Sequence, residues 1–290
     1  MRNTKFIVAL IILSACSHRA GSQAYTMVHD GATRSYIVHL PTGYTATQKY
    51  PLVLNLHGLG ESNIKQEHYS HMDDVADSGH FIVVYPEGVN KAWNAGIRGP
   101  RVTKVDDVGF ISALLDTLEA KYSIDAKRIY SCGISNGGFM SYRLACELSN
   151  RIAAIASVAG QLTDFMKAAC RPSRPVAIMQ IHGTDDELVN YEGALGYGPV
   201  DSLIHFWLWK DNCKPTPVIT KLPDTDTTDG CTVTKYDYVS CSGGSEVALY
   251  KIINGGHTWP GGYPVSFLGK TDEDFNASEE IWKFFKGKSL

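Results

Sequence analysis

The pentapeptide Gly133-Ile134-Ser135-Asn136-Gly137 constrains this chain more than any other segment, because of what stands on either side of it. The run Arg128 to Cys132 enters it with strand character, and Asn136 to Leu148 leaves it with Met140, Tyr142 and Leu144 in a helical pattern. A strand that turns at once into a helix needs glycine where its backbone passes close to neighbours. It also leaves the intervening serine strained, with its hydroxyl exposed. Gly138 adds room for the helix to pack. Ser135 is therefore a candidate nucleophile, with a structural Gly-rich turn as the alternative.

A serine hydroxyl is a weak nucleophile at neutral pH, so it needs a base, and the base needs an orienting acid. Two post-strand loops offer them. His182-Gly183-Thr184-Asp185-Asp186 follows the apolar run Val176 to Ile181, and Gly255-Gly256-His257-Thr258-Trp259-Pro260 follows Val247 to Ile252. His257 is the candidate base, and either Asp185 or Asp186 could accept its Nδ1 proton. Ser, Asp and His then occur in the chain order of α/β-hydrolases. A tetrahedral oxyanion needs donors as well. The main-chain N–H of Asn136 is one, and that of Leu59, in Leu56-His57-Gly58-Leu59-Gly60 after an early strand, is the second candidate. The ring of His57 reads as a brace for its loop, since the His role is already filled. This mechanism needs no metal and no organic cofactor.

The surrounding pattern suits that site. Short apolar runs alternate with amphipathic ones, which predicts an α/β fold with a mostly parallel central sheet and helices on both faces. Candidate strands are Ser35 to Leu40, Leu52 to Leu56, Phe81 to Tyr85, Arg128 to Cys132, Ala153 to Val158, Val176 to Ile181 and Val247 to Ile252. Candidate helices are Val108 to Tyr122, Asn136 to Leu148, Val200 to Lys210 and Phe275 to Phe285. Asp106 and Asp107 precede the first of these as capping residues. Lys214 to Gly244, rich in Asp, Thr, Pro and Gly, reads as a surface excursion.

The N-terminus carries Arg2 and Lys5 before the apolar run Phe6 to Leu13, a secretory pattern too short to span a bilayer. Leu13-Ser14-Ala15-Cys16 resembles a bacterial lipobox, with Cys16 lipidated and first in the mature chain; cleavage after Ala24 is the alternative. The expected division is a lipoprotein-type signal peptide over 1–15, a tether over 16–24 and one catalytic domain over 25–290. The expected location is an outer-membrane or cell-surface lipoprotein, or else a secreted or periplasmic protein. Six further cysteines in an exported chain suggest disulfides, with Cys213–Cys241 and Cys146–Cys170 the favoured pairs and Cys132 a buried thiol. No CxxC pair occurs, and no Cys–His spacing suits zinc. With 27 basic against 30 acidic side chains, nucleic acid is not an expected partner. Oligomeric state is left open.

Taken together, Leu56-His57-Gly58-Leu59-Gly60, Tyr85-Pro86-Glu87-Gly88, Trp93-Asn94, Asp106-Asp107-Val108-Gly109-Phe110, Gly133-Ile134-Ser135-Asn136-Gly137-Gly138, His182-Gly183-Thr184-Asp185-Asp186 and Gly256-His257-Thr258-Trp259-Pro260-Gly261 resemble the secreted esterases grouped with polyhydroxybutyrate depolymerases, feruloyl esterases and acetylxylan esterases. The resemblance implies the α/β-hydrolase fold, with Asp186 as the acid. It implies a serine esterase acting on an ester substrate, feruloyl or acetyl groups on plant cell-wall polysaccharide, with a short polyester as runner-up. A ligand-binding surface lipoprotein without turnover and a peptidase are the other classes. Among the loop aromatics Trp93, Tyr191, Tyr197, Trp259 and Tyr263, substrate contact is expected of Trp93, Trp259 and Tyr191, while Phe139 is expected in the core.

Overall fold

The computed structural model describes residues 21–97, 102 and 104–290. The chain runs through β1 (Gly21–His29), β2 (Ala32–Leu40), β3 (Tyr50–Leu56), α1 (Asn63–Ser70), α2 (Met72–Gly79), β4 (Ile82–Pro86), α3 (Asp107–Lys121), β5 (Ile124–Ile134), α4 (Asn136–Glu147), β6 (Ala154–Val158), α5 (Asp164–Ala169), β7 (Ala177–Gly183), α6 (Val200–Lys210), β8 (Val218–Lys221), β9 (Thr232–Tyr238), β10 (Val247–Ile253) and α7 (Ala277–Phe285). One sheet holds every strand of the described residues, in the order β1-β2-β4-β3-β5-β6-β7-β10-β9-β8. From β4 to β10 neighbouring strands are parallel, and antiparallel pairs close each edge. No helix among the described residues is long and apolar enough to cross a membrane.

The central strands are buried from end to end because helices cover both faces. In β3 every residue is buried, and alternate side chains serve two cores: Leu52, Leu54 and Leu56 face the core of α3, α4 and α6, while Val53 faces that of α1, α2 and α7. α3 buries Phe110, Ile111, Leu114, Leu115 and Leu118, the stripe its sequence shows. Asp106 caps it by accepting the N–H of Gly109 at 2.9 Å. Asp107 does something else. Fully buried, it pairs with Arg34 at 2.7 Å and accepts the N–H of Asn94 at 2.7 Å, so it is an internal clamp and not a cap.

Two sequence boundaries need correction. The tether expected over 16–24 stops short, because Gly21 to Ala24 belong to β1 and pair with Ile37 to Leu40. The excursion Lys214 to Gly244 contains β8 and β9, which extend the sheet beyond β10. Both errors fall on sheet edges, where strands with polar alternate positions lack the continuous apolar run of a central strand. Cys146–Cys170 and Cys213–Cys241 are disulfide-bonded, and Cys132 and Cys231 are buried free thiols. Cys16 and the signal segment lie outside the described residues.

Candidate active site

The loops that carry the candidate residues all leave the carboxyl ends of parallel strands: His57 follows β3, Ser135 follows β5, Asp186 follows β7 and His257 follows β10. That common edge is where open α/β sheets gather their sites. Ser135 sits between β5 and α4 at φ 54° and ψ −121°, a strained conformation for a side chain with a Cβ. It is held there by its N–H on the Val158 carbonyl at 2.8 Å. The flanking glycines are a matter of space. A Cβ on Gly137 would lie 2.1 Å from the Leu56 carbonyl oxygen, and one on Gly133 2.6 Å from the same atom.

Asp186 and His257 meet. His257 Nδ1 donates to Asp186 Oδ2 at 2.8 Å, and both residues are buried. Asp186 Oδ1 accepts the N–H groups of Leu188 at 2.9 Å and Val189 at 2.8 Å. Behind them stands His182, whose Nδ1 accepts from Gln180 Nε2 at 2.8 Å; its Nε2–H therefore points to the Val189 carbonyl at 2.7 Å, with Asp186 Oδ2 at 3.4 Å. Burial alone would raise the Asp186 pKa, but the hydrogen bonds from His182 and His257 outweigh it and hold the carboxyl well below its ordinary range. Asp185 is exposed, and among the described residues its carboxylate accepts only from Thr184 Oγ1 at 3.2 Å, so Asp186 is the carboxylate that reaches His257. With Nδ1–H committed to Asp186, Nε2 is the nitrogen left to take a proton.

The Leu59 side of the site rests on a buried relay. His57 Nε2 accepts the N–H of Gly88 at 2.9 Å, which leaves Nδ1–H to donate to the Gly58 carbonyl at 2.8 Å. Burial pushes the His57 pKa down to about 4, so the ring is neutral and acts as a brace. Trp93 Nε1 donates to the His57 carbonyl at 3.0 Å. Asn136 clasps the same tryptophan from the other side: its Oδ1 accepts the Trp93 N–H at 2.6 Å, and its Nδ2 donates to the Trp93 carbonyl at 3.1 Å. The main-chain N–H groups of Leu59 and Asn136 have no acceptor among the described residues.

Ser135, Asn136, His257, Gly58 and Leu59 line one cavity of about 620 Å³. Its walls are largely apolar, with Ile97, Phe139, Leu188, Tyr197, Val265 and Phe267 among them, and Tyr263, Glu61 and Lys65 also reach it. The expected substrate contacts of Trp93, Trp259 and Tyr191 are corrected here, since all three are fully buried and none lines the cavity. Each spends its polar atom internally: Trp93 on the His57 carbonyl, Trp259 Nε1 on Ser278 Oγ at 3.2 Å, and Tyr191 Oη on Asp201 at 2.8 Å. Tyr197 and Tyr263 do line it, and Phe139, buried in the core as expected, also forms part of its wall. Sequence reasoning missed Leu188 and Phe267, exposed by 61% and 83%. For Leu188 the signal was an apolar side chain two residues after Asp186; Phe267, ten residues past His257, carried none.

An α/β sheet that presents a serine on a strained strand-to-helix turn, in one cavity with a histidine bonded to a buried aspartate, has the layout of an α/β-hydrolase. Residues 31–193 match the family described as "Putative esterase", and the chain belongs to this esterase family. Among relatives, it is 30% identical to the "Putative esterase NocK" of Nocardia uniformis subsp. tsuyamanensis across 92% of this chain and 83% of that one. It is 34% identical to "Feruloyl esterase B" of Piromyces equi across 77% of this chain, but spans only 42% of that protein. In fold it is similar to a thermostable esterase (TM-score 0.61, 16% identity, 93% of this chain and 63% of that one). It is similar too to a ferulic acid esterase of Anaeromyces mucronatus solved with ferulic acid (TM-score 0.56, 17% identity, 92% and 90%). The chain is a serine carboxylic-ester hydrolase.

Proposed function

We propose that the chain deacylates plant cell-wall polysaccharide, removing feruloyl groups in preference to acetyl groups, through a Ser135–His257–Asp186 triad. Ser135 Oγ attacks the ester carbonyl while His257 Nε2 takes its proton, and Asp186 stabilises the imidazolium. The N–H groups of Asn136 and Leu59 receive the oxyanion. His257 passes the proton to the leaving alcohol, and water, deprotonated in turn by His257, hydrolyses the acyl-enzyme. The observation that carries this reading is the buried 2.8 Å contact between Asp186 and His257, with His257 and the strained Ser135 in one cavity.

The substrate ranking rests on the cavity walls. A largely apolar space of about 620 Å³ edged by Phe139, Tyr197, Tyr263 and Phe267 suits a phenolic acyl group better than an acetyl group, which would leave most of it unfilled. Relatives named as feruloyl and acetylxylan esterases support the same class. The test compares hydrolysis of methyl ferulate, acetylated xylan and a hydroxybutyrate oligomer, with Ser135→Ala as the blank. Ferulate ester is expected to be cleaved with the highest kcat/KM. A preference for the oligomer would make the enzyme a polyester hydrolase, and equal activity of the blank would remove Ser135 from the mechanism.

Export and lipid attachment at Cys16 belong to the same proposal. Two disulfides favour an oxidising compartment. Cleavage after Ala24 would strip Gly21 to Ala24 from β1, whereas a mature chain beginning at Cys16 keeps that strand whole. Mass spectrometry of the mature N-terminus decides between them. A diacylglyceryl cysteine at position 16 is expected, and an unmodified N-terminus at Tyr25 would contradict it.

A further inference from the structure

Away from the cavity, the turn before β9 and the segment between the His257 loop and α7 bring together Asp226, Asp229, Asp272, Glu273 and Asp274. None of these carboxylates forms an ion pair among the described residues. Asp272 is fully buried. Its Oδ1 accepts the N–H of Asp274 at 3.2 Å, while its Oδ2 has no hydrogen-bond partner among the described residues. The hydroxyl of buried Thr271 beside it is likewise unpartnered. Asp229 is oriented by two main-chain donors, Cys231 N–H at 2.6 Å and Glu273 N–H at 2.8 Å. Cys231 is buried and outside both disulfides. One oxygen from each of Asp229 and Asp272 and the sulfur of Cys231 lie within 4.8 Å of one another.

A buried carboxylate oxygen is ordinarily hydrogen-bonded or paired. Here the carboxylate that carries it lies beside a second carboxylate and a thiol, with no cationic side chain paired to either among the described residues. We propose that Asp229, Cys231 and Asp272 form a binding site for a thiophilic divalent cation of the zinc class. The hard oxygen-seeking ions would make no use of the sulfur, whereas zinc accepts thiolate and carboxylate together. Binding releases the thiol proton to solvent, so the site gains a thiolate as it gains the metal.

The absence of Cys–His spacing in the sequence does not bear on this set, because its oxygen ligands come from two loops far apart in the chain. A bound ion would join those loops. The segment it grips holds the catalytic loop: the carbonyls of Leu268, Lys270 and Asp272 accept the N–H groups of His257 at 2.6 Å, Gly256 at 2.8 Å and Gly261 at 3.0 Å. The ion is thus placed as a brace behind the histidine loop, and its presence can be measured without reference to any substrate.

The experiment uses the full chain, stripped with chelator and melted alone, with zinc and with calcium, alongside elemental analysis of the unstripped protein. Saturating zinc is expected to raise Tm by about 5 °C or more. Cadmium, as a probe, is expected to give an ultraviolet thiolate-to-metal band. The band is expected to vanish in Cys231→Ser, and the zinc shift in both Cys231→Ser and Asp272→Asn. Absence of any zinc shift in the unsubstituted chain overturns the proposal. So does a zinc response that persists in Asp272→Asn, or stabilisation by calcium that survives Cys231→Ser.

Discussion

The floor of the cavity and its rim are built on opposite principles. At the floor, Ser135 and His257, with Asp186 buried behind the histidine, sit in loops whose backbones are tied to strand ends and to one another. At the rim, Leu188 on a loop and Phe267 on a single 3-10 turn are exposed apolar side chains, and the Glu61–Lys65 pair at 3.0 Å is open to solvent. The floor is organised by directional hydrogen bonds, which demand particular residues; the rim is organised by non-directional apolar contact, which many residues can supply. Substitutions at the floor should therefore abolish turnover, while those at the rim should retune which ester is accepted.

The largest effect is expected from Asp186→Asn. The amide removes the charge that stabilises the imidazolium and favours the wrong tautomer of His257, so kcat should fall by about 10³- to 10⁴-fold with KM little changed. Asp185→Asn, one residue away and exposed, should leave both constants as they are. Steady-state kinetics of the two variants on one ester settles the contrast, and similar losses in both would dissolve it.

A smaller effect concerns the brace beneath the Leu59 loop. Burial lowers the His57 pKa to about 4 from its ordinary 6.5, so the folded chain holds this ring neutral more strongly than the unfolded chain does. The stability this contributes is present above pH 6.5 and is lost as pH falls toward about 4, amounting to about 3 kcal/mol. Denaturant unfolding across that window should show the loss, and His57→Gln should flatten it. An unchanged profile in the variant would place the acid sensitivity elsewhere.

The smallest effect belongs to the rim. Phe267→Ala should raise KM for a ferulate ester by about 3- to 10-fold and leave kcat and an acetyl ester nearly untouched, because it removes apolar contact remote from the reacting carbonyl. A loss in kcat of the size expected for Asp186→Asn would mean that rim and floor are one unit.

The same division explains what could be read from the residues alone. The meeting of Asp186 with His257 and the placing of Ser135 in the same cavity were legible because each residue stands in a loop following an apolar strand, with glycines at the close approaches. The disulfide partners and α6 were legible too. Trp93, Trp259 and Tyr191 were placed at the substrate because they neighbour motif residues in sequence, yet each donates its polar hydrogen inward and packs beneath the site. Proximity along the chain carries no sign for inward or outward. α1 escaped notice for a different reason: the side chains it buries include Asn63, Gln66 and Ser70, and Gln66 Nε2 and Ser70 Oγ are matched to Asn55 at 2.8 and 2.9 Å. A helix that buries polar groups against a polar partner shows no apolar stripe.

The central claim is that Ser135 is the nucleophile of an acyl-enzyme mechanism. Its most direct test is intact-mass and peptide mass spectrometry of the protein after reaction with a fluorophosphonate. One adduct on the peptide containing Ser135, absent in Ser135→Ala and strongly slowed in Asp186→Asn, is the predicted result. Labelling that persists in Ser135→Ala, or maps to another residue, would contradict the account.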